Sequence, residues 1–122
     1  MNRDSEGRQD GSAVREVTRA ADAVVVTLGG ELDLYNAPDV REALLASTEE
    51  QPARLIVDLG EVEFLDSTIL GVLVEARSRL PNRRGFLLVA PGVETRRALE
   101  VSGLDKHFAV HESVEAALGA PL

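Results

Sequence analysis

The chain has 122 residues, enough for one domain with a real core and too few for two ordinary ones. Thirteen basic against twenty-one acidic residues give a formal net charge of −8, which repels phosphate backbones and anionic lipid and argues against nucleic acid or a membrane surface as a partner. With 44% hydrophobic and 28% charged residues, 3% aromatics and no cysteine, the composition excludes a disulfide framework and a thiolate metal site and calls for an aliphatic core.

The first twelve residues, MNRDSEGRQDGS, carry no apolar side chain after Met1 and cannot bury enough surface to offset the entropy of ordering. They are expected to form a mobile tail, with residues 13–119 as the single domain. The same stretch lacks an apolar signal region, which points to a cytoplasmic protein. A weak alternation from Ala13 to Val17, a break over 19–22 and the β-branched run AVVVTLGGEL (23–32) predict a hairpin of two strands. In LYNAPDVREALLAS, Val40, Ala43, Leu44 and Ser47 recur at i, i+3, i+4 and i+7. That spacing predicts a helix with Asn36 as N-cap and Pro38 in the first turn, where a missing N–H costs little.

ARLIVDLG (53–60) predicts a buried strand ending at Gly60, and GEVEFLD a loop leading out of it. From Ser67, the residues Ile69, Leu73, Ala76 and Leu80 fall at i, i+4, i+7 and i+11, a helix stopped by Pro81 and Asn82. GFLLVA (85–90) reads as a second buried strand, PGVETRRALEVSG (91–103) as a helix closed by Gly103, HFAV (107–110) as a brief strand and HESVEAAL (111–118) as a last short helix. Strands and helices alternate after an opening hairpin. The fold class is therefore α/β, with a mixed central sheet, antiparallel in the hairpin and parallel where helices connect the strands, packed with about four helices.

Functional residues of open α/β sheets collect at the carboxyl ends of the strands, where loops lead to helix N-termini. FLDSTILGVLV (64–74) lies at such a place and interrupts an apolar run with Asp66, Ser67 and Thr68. Asp66 and Ser67 are both favoured N-caps, able to accept hydrogen bonds from the orphan amides of a first helical turn. A serine there is also a good phosphorylation site, because the new dianion meets the positive end of the helix dipole, although Asp66 opposes it.

The segments GGELDLYNAPDVREAL (29–44), LIVDLGEVEFLDSTILGVLV (55–74) and SGLDKHFAVHESVEAAL (102–118), in this order and spacing, resemble the anti-sigma factor antagonists of bacteria, which are single STAS domains. The resemblance runs from about Val14 to Leu118. It implies the STAS fold and a cytoplasmic partner switch of the kind used in stress response and sporulation. The unphosphorylated antagonist binds an anti-sigma factor, itself a GHKL-type serine kinase, and so releases a sigma factor. Phosphorylation by that kinase ends the complex, and a PP2C-type phosphatase resets it. Carried onto this chain, Ser67 is the phosphoacceptor, preferred over Thr68, with Asp66 shaping the site. The partner-binding face comprises Glu31, Asp33, Tyr35 and Asn36 in the loop after Gly30, together with Asp66, Ser67, Thr68 and Ile69. The family usually has glycine where this chain has Ile69, while Leu70 and Gly71 match. A β-branched residue there either restricts close approach by a kinase or adds a core contact at a permissive site. The resemblance implies no cofactor and no catalytic residue, and a monomer or weak dimer.

The remaining candidates are weaker. His107 and His111 are four apart, the metal-ligand spacing of a helix face, but the residues between them read as strand, so no metal site is expected and His111 is placed at the cap or flank of the last helix. A hydrolase reading would make Ser67 a nucleophile with one of these histidines as base, yet D-S-T-I-L lacks the strained elbow of G-x-S-x-G. Glu61 and Glu63 make an acidic loop with Asp66, read equally as simple solvation or as complementarity to basic residues of the kinase. The pairs Arg83, Arg84 and Arg96, Arg97 read as solvated faces. The alternative function is a non-switching STAS scaffold of a stress-sensing complex, distinguishable by its assembly size, or another STAS interaction module.

Overall fold

The computed structural model describes residues 12–122. Apart from Ser12, the tail expected over 1–12 lies outside the described residues. Strands β1 (Val14–Ala20) and β2 (Ala23–Leu32) form the expected antiparallel hairpin. There follow α1 (Ala37–Glu49), β3 (Arg54–Leu65), α2 (Ser67–Ser78), β4 (Phe86–Val89), α3 (Val93–Ser102), β5 (Ala109–His111) and α4 (Val114–Gly119). The sheet order is β1-β2-β3-β4-β5, and every neighbouring pair from β2 onward is parallel. This is the mixed α/β architecture expected, with helices supplying the crossovers that parallel strands require.

The period of two along β2 divides the core between the faces of the sheet. Val24, Val26 and Leu28 join Leu55, Val57, Leu44 of α1, Leu73 of α2 and Leu99 of α3, while Ala23 and Val25 join Ile56, Leu87, Val89 and Ala117 of α4. Three helices thus cover one face and the short α4 part of the other. β4 is buried at all four positions, as a parallel strand covered on both sides should be. Each fully buried aliphatic side chain contributes about 1.5–3 kcal/mol. With few aromatics available, the core holds an aromatic pair, Phe86 and Phe108, with ring centroids 5.5 Å apart.

Several boundaries differ from expectation. β3 does not end at Gly60; it continues to Leu65, where Glu31 pairs with Phe64 and Leu32 with Leu65. The acidic residues that suggested a loop sit on the exposed positions of this extension, and Val62 and Leu65 on the buried ones. Gly30, at a φ of +78° that favours glycine, accompanies a register shift that keeps β2 paired with it. Since β4 stops pairing at Asp58, β2 and β3 run on as a two-stranded ribbon beyond the rest of the sheet. Helix α2 ends at Ser78 rather than Leu80, whose side chain is nevertheless buried. The last strand runs from Ala109 to His111, so His111 is not a cap of α4; that role belongs to Ser113, which accepts a hydrogen bond from the Ala116 amide. Gly103 closes α3 in the left-handed conformation, as expected.

Candidate functional site

The two-stranded ribbon ends in two adjacent connections, the loop 33–36 after β2 and the single residue Asp66 between β3 and α2. They are tied together by the Asp66 amide, which donates to the Leu32 carbonyl at 3.2 Å. Asp66 is extended and caps α2: its Oδ1 accepts from the amides of Thr68 at 3.0 Å and Ile69 at 3.3 Å. The cap role of the D-S pair therefore falls to Asp66, which leaves the Ser67 hydroxyl exposed at the first helical position.

The loop after β2 is braced by its own polar side chains. Asn36 Oδ1 accepts from the Asp33 amide at 2.8 Å, Asn36 Nδ2 donates to the Glu31 carbonyl at 2.8 Å, and Asp33 Oδ1 accepts from the Tyr35 amide at 3.0 Å. Asn36 occupies the N-cap position of α1 without a side-chain cap bond, because its amide group is engaged backward in the loop. Asp33 and Asn36 are half-buried and hold the loop shape; they present little surface themselves. What the brace presents is Leu34, 65% exposed, and Tyr35, 91% exposed.

Ser67 and Thr68 open onto different grooves. Ser67 lines one between the end of β3 and α3, with Phe64, Asp66, Leu70, Val93, Arg97 and Val101 among its walls. Thr68 lines another between α1 and α2, with Leu34, Pro38, Leu45 and Val72. Phe64, Val93 and Val101, 56%, 71% and 82% exposed, edge the first groove and exposed Leu34 the second, so both are edged by large apolar side chains in water. Exposed apolar groups gathered around one helix start mark an interaction surface. Acidic Glu31, Glu63 and Glu94 stand exposed around them.

Ile69 departs from its expected place in the partner-binding set. Its side chain is 0% exposed and belongs to the main core cluster, so it is a packing residue with no surface to offer. Residue 69 points inward because the capped first turn sets Ser67 and Thr68 on the outer side of α2. Gly71 instead is exposed, with nothing within 4 Å of where a Cβ would stand.

The helices carrying the site are joined at the surface. Arg41 of α1 donates to Glu75 of α2 through Nε at 2.8 Å and Nη2 at 2.7 Å, and Arg79 adds a 3.3 Å contact to the same carboxylate. The hydrogen bonds from Arg41, more than its charge, hold the Glu75 carboxyl below the usual carboxylate range. Neither histidine reaches Ser67. His111 pairs with Val89 at the level of Asp58, well short of the end of β3, and no histidine lines either groove. The nucleophile and base of the hydrolase reading are thus not assembled. Among the described residues no group of three His, Asp or Glu is placed to hold a metal ion.

A family model described as the STAS domain matches residues 14–117. The chain belongs to the STAS domain family. This STAS domain is 36% identical over 94 residues to the anti-sigma-F factor antagonist RsfB of Mycobacterium tuberculosis, covering 77% of each chain. It is 39% identical over 88 residues to the anti-sigma-B factor antagonist of Listeria monocytogenes, covering 70% of this chain and 76% of the other. An anti-sigma factor antagonist from Mycobacterium paratuberculosis, known from its crystal structure, superposes with a TM-score of 0.80 at 36% identity, covering 84% of this STAS domain and 88% of that chain.

Leu34, Phe64, Val93 and Val101 were not singled out by sequence reasoning. A signal was present in α3, where Val93, Arg97 and Val101 repeat at i, i+4 and i+8, a stripe separate from the buried Thr95 and Leu99.

Proposed function

We propose that the protein is an anti-sigma factor antagonist that acts in the cytoplasm as a phosphorylation-controlled switch. In its unphosphorylated form it docks an anti-sigma factor, a serine kinase of the GHKL type, and frees a sigma factor. The kinase then phosphorylates Ser67, the complex dissociates, and a PP2C-type phosphatase restores the binding form. The observation that carries this reading is the exposed Ser67 hydroxyl lining one of two neighbouring apolar-edged grooves, the other being lined by Thr68. The names of the relatives at 36% and 39% identity support the partner class.

Docking over these grooves desolvates Ser67. A phosphate there carries about −1.5 to −2 charges at neutral pH, and burying it without new partners costs several kcal/mol. Every 1.4 kcal/mol is about tenfold in affinity. A few kcal/mol therefore dissociate a regulatory complex without any change of fold.

The test is incubation with ATP and candidate GHKL-type anti-sigma kinases, with intact mass and phosphosite mapping beside Ser67→Ala. One added phosphate that disappears in Ser67→Ala, together with loss of the complex, is the expected result. Stable binding to a candidate kinase with no phosphate transferred refutes the switch and leaves a constitutive antagonist.

A further inference from the structure

Among the described residues, the groove that Ser67 faces contains one cation. Its charged lining consists of Glu63, Asp66 and Glu94, with Arg97 projecting from α3. Arg97 is exposed and, among the described residues, makes no ion pair, whereas Arg15, Arg19, Arg41, Arg54 and Arg79 each meet a carboxylate.

A phosphate at the start of a helix ordinarily draws on the free amides of the first turn. Here the amides of Thr68 and Ile69 already donate to Asp66. A phosphate on Ser67 therefore meets a filled cap, three carboxylates and one uncommitted guanidinium. We infer that Arg97 is the internal partner of phosphorylated Ser67, reaching across the groove from α3 to hold the phosphate. This rests on the reading of Ser67 as the phosphoacceptor and adds how the mark acts. The phosphate and the guanidinium together close the groove edged by Phe64, Val93 and Val101, so phosphorylation changes the shape of the docking face as well as its charge.

Among the described residues Thr68 has no equivalent. The cation of its groove, Arg41, is held by Glu75 through two hydrogen bonds. The two neighbouring hydroxyls thus differ in what would receive a phosphate.

The test uses full-length protein with phosphoserine installed genetically at position 67, so it depends on no kinase. The second ionisation of the phosphate is followed by 31P NMR. A guanidinium favours the dianion and lowers that pKa, so Arg97→Gln is expected to raise it by about half a unit, with Arg97→Lys between. The Arg97 Nε–H resonance should shift on phosphorylation. Phosphoserine at position 68 serves as the control and should be indifferent to Arg97→Gln. An Arg97→Gln protein that keeps its fold by circular dichroism and whose phosphoserine 67 titrates within about 0.1 unit of the parent overturns the pairing. That result would leave the switch standing, since the switch is judged separately by phosphate transfer and partner release.

Discussion

Removing the cap of α2 tests how the site is built. In Asp66→Ala, the amides of Thr68 and Ile69 lose the oxygen that now accepts them at 3.0 and 3.3 Å. Loss of an N-cap side chain costs about 1–2 kcal/mol, and a domain of this size melts roughly 4 °C lower per kcal/mol. Asp66→Ala is therefore expected to lower the melting midpoint by about 4–8 °C. Asp66→Asn keeps an oxygen in place and gives up only the charge at the helix start, so less than half of that loss is expected. Ser67→Ala, which removes an exposed hydroxyl outside the cap, should stay within about 0.5 kcal/mol of the parent. The assay is thermal unfolding by circular dichroism, repeated in urea to check that the order of the variants holds. If Asp66→Ala melts with the parent while Ser67→Ala loses several degrees, cap and free hydroxyl are reversed, and Ser67 is not available to a kinase.

Three further outcomes follow from the same geometry. Tyr35→Ala and Phe64→Ala, both at exposed positions, should change folding stability by about 0.5 kcal/mol or less while weakening anti-sigma factor binding roughly tenfold or more; calorimetric titration beside urea unfolding separates the two effects. Ile69→Gly, which restores the residue usual in the family, empties a fully buried position and should cost about 3–6 kcal/mol, so equal stability in denaturant would contradict its place in the core. Glu75 has its carboxyl held below the ordinary value of 4.5 by Arg41, so the ion pair stabilises the fold above that pH and is lost as pH falls through the lowered folded-state value. The stability gap between the parent and Glu75→Gln should accordingly be present at neutral pH and close in acid, and a gap independent of pH would remove the pair from the account.

Local chemistry made most of the architecture legible. The β-branched run of β2, the aliphatic β4, the i, i+3, i+4 spacing of α1 and the left-handed glycine after α3 each carry their structure within a few residues. The Asp66 cap and Ser67 beside it were readable for the same reason, since a cap involves only a residue and the amides two and three positions on. The residues 60–65 were not, because Glu61 and Glu63 interrupt the apolar run and only pairing with β2 makes a strand of them. Asp33 and Asn36 lie in the expected loop, but which side chains brace it and which face water is decided by bonds across the loop. The spacing that groups Ile69 with Leu73 and Ala76 already puts it on the apolar face of α2, and only the packed structure shows that it keeps no surface for a partner.

By itself, then, the sequence determined the order of strands and helices, the aliphatic core and the hydroxyl at a helix start, because propensity, periodicity and capping act over one or two turns. Only the tertiary structure decided that Ser67 and Thr68 open onto separate grooves, that Leu34, Tyr35, Phe64, Val93 and Val101 gather around them, and that Arg97 shares a groove with Ser67. Those residues lie on segments far apart in the chain. Their meeting depends on parallel crossovers bringing the ends of β2 and β3 and the side of α3 to one place.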